Sequence, residues 1–236
     1  MADIVLLDTN AHIDYFVKTF HLPIEKFRRV FVGADESQFY PLKEFQISDY
    51  PRDGVLKSQI LKVLFYGQFI PLHGIEHIIR AAKILEQEYV EFTIIGTGQE
   101  YNRIRGIANE LVTKNIKWID WVESSELVYY INEADIVLGI FGESEKSRRV
   151  IPNKAFQTIA CKKPLITGDS SAARELFKDK ENALLCRMGD PWGITTSIRM
   201  LKDDEDLKIK IAVNGYDTYL STCNIVAIGK QVINNI

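Results

Sequence analysis

Three cations and a side-chain amide lie close together in the segment 148–169. Arg148 and Arg149 precede a short predicted helix, Lys154 lies at its start, and Gln157 follows one turn later. Guanidinium and ammonium groups beside a helix start suit an anion, most simply a phosphate. The Gln157 amide can both donate to and accept from neighbouring hydroxyls, such as those of a ribose. The alternatives are a solvated basic loop and an ordinary surface position on a helix.

A second candidate site is the turn 67–74, which follows a predicted strand and precedes a predicted helix. Gly67 allows close approach of a ligand to the backbone, and the helix that begins at Gly74 has free amides that suit an oxyanion. Gln68 and His73 lie between the glycines, and His73 is a candidate hydrogen-bond donor to a phosphate. A partly exposed loop histidine is the alternative.

The turn Gly96-Thr97-Gly98 also joins a predicted strand to a helix, and it resembles part of a dinucleotide-binding fingerprint. The third glycine of that fingerprint is absent, and the turn follows the second strand of its domain rather than the first. A nicotinamide cofactor is therefore not predicted. We expect a tight turn whose amides, at Gly98 in particular, approach a ligand.

Two tryptophans lie at the end of a later strand. An aromatic rim with free backbone groups can hold a nucleobase by stacking and main-chain hydrogen bonds. Trp118 is expected to pack in the core, whereas Trp121 lies nearer the loop and is the better candidate for contact with a ligand.

Several chemistries are excluded by the sequence. No Asp-x-Asp pair follows a strand, no histidine and carboxylate cluster has metal-ligand spacing, and neither a nucleophile elbow nor a P-loop occurs. We therefore predict no bound metal and no cofactor. The net charge of -3 gives no global attraction to nucleic acid. Cys161, Cys186 and Cys223 are odd in number and lie in apolar surroundings, which predicts reduced thiols in a cytoplasmic protein.

The elements that must position these residues alternate regularly from residue 61. Short apolar runs predict six strands, which are separated by amphipathic helices such as 74–88. The predicted strands are 63–66, 92–95, 116–119, 136–140, 165–167 and 183–186. This alternation predicts an α/β fold, a Rossmann-like parallel sheet with helices on both faces.

The rest of the chain divides into three parts. Residues 1–33 predict one partial βαβ unit that is separate from the Rossmann-like domain. Its predicted elements are strands 4–7 and 29–33 and a helix from about residue 8 to 20. Residues 34–60 have no sustained period and predict a linker. The Rossmann-like domain is expected over 61–190, and residues 191–236 are expected to form helices over about 192–203, 205–221 and 224–235.

From residue 62 to about 203 the chain resembles the donor-binding, carboxyl-terminal domain of GT-B glycosyltransferases of the group 1 or family 4 type. The turn 67–74 is similar to that family's Gly-Arg-x-x-x-x-Lys-Gly turn, and 95–98 is similar to its Ile-Gly-x-Gly turn. The segment 156–169 resembles its Glu-Ala-Met-Ala-x-Gly-x-Pro-Val-Ile segment. The resemblance implies a Rossmann-like site for a nucleotide-sugar and transfer with retention, commonly without a metal.

The departures from that family are specific. The arginine and lysine that meet the diphosphate in the family fall at Gln68 and His73, and its paired glutamates fall at Arg149 and Gln157. We expect the diphosphate charge to be met instead from the loop that carries the basic residues of 148–154. The resemblance also implies that residues 1–33 are a remnant of the acceptor-side domain, so that a partner chain completes the enzyme or the chain is a shortened one.

Two functions remain open at this stage. The first is a glycosyltransferase, or its donor-binding part, that transfers a sugar from a nucleotide-sugar to a glycan or lipid-linked acceptor, as in polysaccharide biosynthesis. The second is a non-catalytic nucleotide-binding or scaffolding subunit that needs a partner chain. The expected location is the cytoplasm, with peripheral attachment to the inner face of the membrane as an open alternative. No catalytic residue is assigned from the sequence.

Overall fold

The computed structural model of the protein describes residues 3–42 and 60–235. The strands in this part of the chain are β1 (Val5–Leu7), β2 (Phe27–Arg29), β3 (Leu61–Tyr66), β4 (Val90–Ile95), β5 (Ile116–Ile119), β6 (Ile136–Leu138), β7 (Leu165–Gly168) and β8 (Leu184–Cys186). The helices are α1 (Asn10–Phe20), α2 (Ile75–Ile84), α3 (Tyr101–Glu110), α4 (Ser124–Glu133), α5 (Asn153–Ala160), α6 (Pro191–Asp203), α7 (Glu205–Thr218) and α8 (Ile225–Ile233). Within residues 3–42 and 60–235, no helix combines the length and apolar character needed to cross a membrane.

Six strands form one parallel sheet in the order β5-β4-β3-β6-β7-β8. This order places the first strand of the domain, β3, at the centre, and the chain winds outward from it in both directions. The predicted Rossmann-like fold is confirmed. The carboxyl ends of β3, β4, β5 and β6 lie at one edge of the sheet, where ligands bind in doubly wound folds.

The core lies on both faces of this sheet. Val63 and Phe65 of β3 belong to one apolar cluster, and Leu64 and Tyr66 belong to another, so successive side chains of the strand enter opposite faces. Helices α2, α3 and α6 contribute to the first cluster, and α4 and α5 contribute to the second. Burial on both sides explains why the strands are nearly continuous apolar runs.

The amino-terminal unit is a two-stranded parallel sheet, β1 and β2, with α1 between the strands. The second strand spans Phe27–Arg29 rather than the predicted 29–33. Pairing with β1 sets this register, because Phe27 and Arg29 lie opposite Val5 and Leu7. Beyond it, buried Phe31 packs against Phe156 of α5 instead of extending the strand.

The predicted linker 34–60 is described only as far as residue 42, and residues 43–59 lie outside the described part of the chain. Its first residues pack against the large sheet. Phe39 is buried, the Leu42 amide donates to Asn132 Oδ1 at 2.9 Å, and the Tyr40 carbonyl accepts from Asn132 Nδ2. A side-chain amide on α4 thus replaces the missing backbone partners of this segment.

The carboxyl-terminal helices contact the amino-terminal unit. The predicted helix 205–221 is α7 followed by a π-helical turn, Tyr219–Cys223. Tyr219 Oη donates to the Ala34 carbonyl at 3.1 Å, and the Phe31 amide donates to Gln231 of α8. Elsewhere the predicted bounds were too long at helix 74–88, where α2 ends at Ile84, and at strand 136–140, where β6 ends at Leu138.

Candidate nucleotide-sugar site

Two turns pack against each other at the carboxyl edge of the sheet: the first turn, residues 67–74, and the second turn, residues 95–98. The Gly67 amide donates to the Ile95 carbonyl, and the Phe69 amide donates to the Thr97 carbonyl at 2.8 Å. A Cβ added to Gly96 would lie 2.0 Å from the Gly67 carbonyl oxygen, and one added to Gly98 would lie 2.7 Å from the Phe69 nitrogen. These glycines therefore permit one backbone to approach another, a structural role that the sequence did not distinguish from ligand contact.

A groove of about 660 Å³ opens between these turns and the segment 120–127. It brings together four sequence-predicted site residues: Gly67, Gln68, Gly98 and Trp121. Trp121 is 76% exposed at the groove, whereas Trp118 packs against the core as expected. An exposed indole face beside backbone polar groups is suited to stacking on a nucleobase.

His73 lies under the first turn rather than in solvent. It ends a short 3₁₀ segment, Pro71–His73, is 8% exposed, and its ring meets Phe65 edge to face at 5.7 Å. Its Nδ1 bonds the Gln68 carbonyl, which can only accept, so Nδ1 carries the proton. Burial is the main cause that lowers the pKa of His73 to about 3. The imidazole is therefore neutral at pH 7, and its Nε2 is an acceptor.

Lys154 is the most unusual of the predicted site residues. It is the second residue of α5, it is only 5% exposed, and its Nζ lies 3.8 Å from the centroid of the Phe65 ring. The Nζ is buried and has no hydrogen-bond partner. A Cβ added to Gly67 would lie 3.1 Å from it. The amine therefore reaches, from α5, the turn where the family carries its cations, and burial lowers its pKa well below the ordinary value.

Gln157 lies one turn further along α5 and is oriented by β3. Tyr66 Oη donates to its Oε1 at 2.8 Å, which leaves the side-chain NH₂ as the free end of the amide. Burial raises the pKa of Tyr66 well above its ordinary value, so the hydroxyl keeps the proton that it donates. Gln157 is thereby a positioned donor.

The two arginines are separated from Lys154. The Arg149 guanidinium lies over the ring of Tyr15 on α1, 3.6 Å from its centroid, and its Nε is buried without a hydrogen-bond partner. The Arg148 side chain is exposed, while its carbonyl accepts from Ser171 Oγ and the Ala172 amide. The cations that are neighbours in sequence thus point to different parts of the molecule.

Sequence reasoning missed the residues that enclose Lys154 and hold Arg149. Phe65 and Tyr66 end β3 directly before the first turn, and this position was the available signal for their place beside Lys154. Tyr15 gave no signal, since it lies far from the site in sequence. Within the described ranges, histidine, cysteine, aspartate and glutamate side chains form no group of three or more that could hold a metal ion.

Known proteins share this fold. Sucrose-phosphate synthase from Thermosynechococcus elongatus superposes with a TM-score of 0.82 at 19% identity, over 99% of this chain and 57% of that one. The Anabaena protein HepE, solved in complex with UDP and glucose, also has a TM-score of 0.82, at 16% identity, over 99% of this chain and 62% of its own. Both likenesses show the fold.

Sequence comparison identifies the family. The lipopolysaccharide core biosynthesis glycosyltransferase LpsD of Rhizobium meliloti (strain 1021) is 23% identical over 157 residues, which is 66% of this chain and 43% of that protein. The chain thus spans less than half the length of this curated relative. The profile of the family "Glycosyl transferases group 1" matches residues 46–218. With its fold shared and most of its length matched, the chain belongs to the group 1 glycosyltransferase family.

Proposed function

We propose that this chain binds a nucleotide-sugar at the carboxyl edge of its six-stranded sheet and serves in sugar transfer to a glycan or lipid-linked acceptor. The observation that carries the proposal is the buried, unpartnered amine of Lys154 beside Gly67. A buried amine without a hydrogen-bond partner is costly, and a bound phosphate would supply the missing acceptor. The proposed contacts of the nucleotide-sugar are Gly67, Gln68, Gly98, Trp121, Lys154 and Gln157.

The groove and the Lys154 amine would contact different parts of the nucleotide-sugar. Trp121 and the apolar walls of the groove suit the base, Lys154 suits the diphosphate, and the free NH₂ of Gln157 suits a ribose hydroxyl. HepE, which shares the fold, was solved with UDP and glucose, so UDP is the first ligand to test. The name of LpsD refers to lipopolysaccharide core biosynthesis, which supports a glycan or glycolipid as the acceptor.

The proposed reaction breaks the bond between the anomeric carbon and the diphosphate oxygen and joins that carbon to the oxygen of an acceptor hydroxyl, whose proton is released to solvent. The diphosphate leaves with the bonding electrons, and Lys154 would stabilise the developing negative charge. Retention of the anomeric configuration and independence of metal and cofactor are parts of the proposal. An NMR assay of product stereochemistry, and a transfer assay with and without EDTA, test them.

The acceptor side of the site is proposed to need a partner chain. β1 and β2 form a two-stranded parallel sheet, and isolated sheets of this size are marginally stable. Parallel sheets are normally covered and extended on both sides, so further parallel strands are expected to pair with this unit. Co-purification from the native host followed by mass spectrometry tests this. Recovery of the chain alone, with full transfer activity, would refute the need for a partner chain.

A non-catalytic nucleotide-binding subunit is the second candidate. The observation that favours it is Arg149, which occupies a position where the family has a glutamate and is engaged with Tyr15. Calorimetry with UDP, GDP and ADP, followed by a transfer assay with the corresponding sugars, separates the candidates. Binding with turnover supports the transferase, and binding without turnover in the presence of the co-purified partner supports the subunit.

The matched variants for this experiment are Lys154→Met and Lys146→Met. Lys146 is an exposed lysine of the neighbouring loop, so Lys146→Met makes the same substitution without touching the buried site. We expect Lys154→Met to weaken nucleoside diphosphate binding at least tenfold, about the loss of one charged hydrogen bond. Equal affinities of the two variants would contradict the assignment, and no binding of any nucleotide to the wild type would refute the donor site.

A further inference from the structure

We propose that anion binding at this site is coupled to proton uptake: Lys154 is a neutral amine in the empty protein and becomes an ammonium when a diphosphate enters. The inference rests on the proposed function only for the identity of the anion. It adds a chemical state of the site that family membership does not supply.

No described group that faces the Lys154 amine offers it a negative charge. From β3 come the Phe65 ring at 3.8 Å and the Tyr66 ring at 5.9 Å, and Tyr66 keeps its proton. From the first turn come Gly67 and the neutral ring of His73. Desolvation disfavours an ammonium in such surroundings, and an aromatic face offsets only a small part of that cost. The proton is therefore absent until an anion arrives.

Within α5 itself no described group competes with an incoming anion for the Lys154 amine. The backbone carbonyl of Lys154 is engaged by Thr158 Oγ1, and the neighbouring Gln157 is neutral and bound by Tyr66. A phosphate oxygen beside Gly67 would lie within hydrogen-bond reach of Nζ, and its negative charge would favour the charged lysine. In this step the neutral amine takes up one proton from the solvent and becomes an ammonium, while the diphosphate stays ionised.

His73 is the other group able to take the proton, and the geometry favours Lys154. His73 already uses Nδ1 to donate to the Gln68 carbonyl, so only Nε2 could be protonated. Two adjacent cations repel each other, so one anion is expected to recruit one proton rather than two. Lys154 is the stronger base by nature and has no hydrogen bond to lose.

The test is calorimetry of UDP binding at pH 8 in PIPES, HEPES and Tris, whose ionisation enthalpies differ. UDP is fully ionised at this pH, because the second ionisation of a terminal phosphate lies near pH 6. The dependence of the observed enthalpy on the buffer then gives the protons taken up by the protein. We expect uptake of about one proton and an affinity that falls by up to about tenfold per pH unit as the pH rises.

Two variants assign the proton. In His73→Asn the side-chain NH₂ can still donate to the Gln68 carbonyl but cannot titrate, so uptake should persist. In Lys154→Met uptake should vanish while the protein keeps or gains thermal stability, because an unpaired buried amine is removed. Uptake that survives in Lys154→Met, or is lost only in His73→Asn, would overturn the proposal.

A direct measurement covers the case in which a ligand fails to bind. The ¹³Cε shift of Lys154 in the free, full chain reports its charge, and Lys154→Met identifies the signal. A neutral amine at pH 8 supports the proposal, and an ammonium there overturns it whatever the ligand. UDP binding without proton exchange overturns the inference but leaves the proposed function standing. Failure of UDP, GDP, ADP and inorganic pyrophosphate to bind would instead remove the proposed function.

Discussion

The guanidinium of Arg149 lies over the ring of Tyr15, 3.6 Å from the ring centroid. The adjoining backbone makes the same connection, because Thr9 Oγ1 donates to the Arg149 carbonyl while it also caps α1. The loop that leads into α5 is thus attached to the amino-terminal unit. The loop's position therefore depends on how that unit packs against the large sheet.

Removal of the Tyr15 ring should loosen this attachment. In Tyr15→Leu the aromatic face is lost while apolar volume remains, and a double-mutant cycle with Arg149→Met should give a coupling energy of about 0.5–2 kcal/mol. Urea unfolding measures the four free energies. Tyr129→Leu, which changes an exposed tyrosine on α4, is the control and should show no coupling to Arg149→Met. A coupling energy of zero between Tyr15→Leu and Arg149→Met would mean that the stacking contributes nothing to stability.

The carboxylate of Glu175 holds the start of α1. Its two oxygens accept from the amides of Asn10 at 2.8 Å and Ala11 at 2.9 Å, which have no partner within the helix. Glu175→Ala should destabilise α1 by about 1–2 kcal/mol, and Glu175→Gln should destabilise it by a smaller amount. Hydrogen exchange of the α1 amides measures the effect. Glu181→Ala removes an exposed carboxylate and should leave α1 exchange unchanged; equal acceleration in both variants would contradict the assignment.

The sequence predicted the sheet well because parallel strands buried on both faces leave a clear pattern. β5, for example, was predicted at its observed bounds. The second strand was predicted at 29–33 but lies at Phe27–Arg29, since its register depends on pairing with β1 and not on the apolar run after Arg29.

The chemistry of the site was less predictable. Arg149 and Lys154 are both basic residues of one short segment, and nothing in the local sequence distinguishes them. One stacks on a ring from α1, and the other lies beneath Gly67 against Phe65. Burial and partners of these side chains depend on contacts between residues distant in sequence, so a local pattern identifies the residue types and not their states.

Gly96 should be irreplaceable for packing reasons. Its φ is 136°, and a Cβ there would lie 2.0 Å from the Gly67 carbonyl oxygen, so the strain and the clash both oppose a side chain. Gly96→Ala should cost about 3 kcal/mol or more. Gly106→Ala is the matched control, because nothing lies within 4 Å of its Cβ in α3 and it should gain about 0.5–1 kcal/mol. Thermal unfolding of both variants checks this, and a Gly96→Ala protein as stable as the wild type would contradict the close approach.

His73 should make stability depend on pH in a defined window. Its pKa is about 3 in the folded protein and about 6.5 in an unfolded chain, so between these values the unfolded state binds more protons. The free energy of unfolding should therefore rise with pH through this window, by up to about 1.4 kcal/mol per pH unit from His73, and no longer change on its account above pH 7.

The variant His73→Asn isolates this contribution, because asparagine can donate to the Gln68 carbonyl but does not titrate. Urea unfolding between pH 4.5 and 7.5 should show a shallower pH dependence for His73→Asn than for the wild type. His21→Asn is the control: His21 is exposed and has a positive φ of 53°, which asparagine tolerates. It should keep the wild-type slope. Parallel curves for His73→Asn and the wild type would mean that His73 takes up its proton as readily in the folded chain as in the unfolded one, contrary to its burial beneath the first turn.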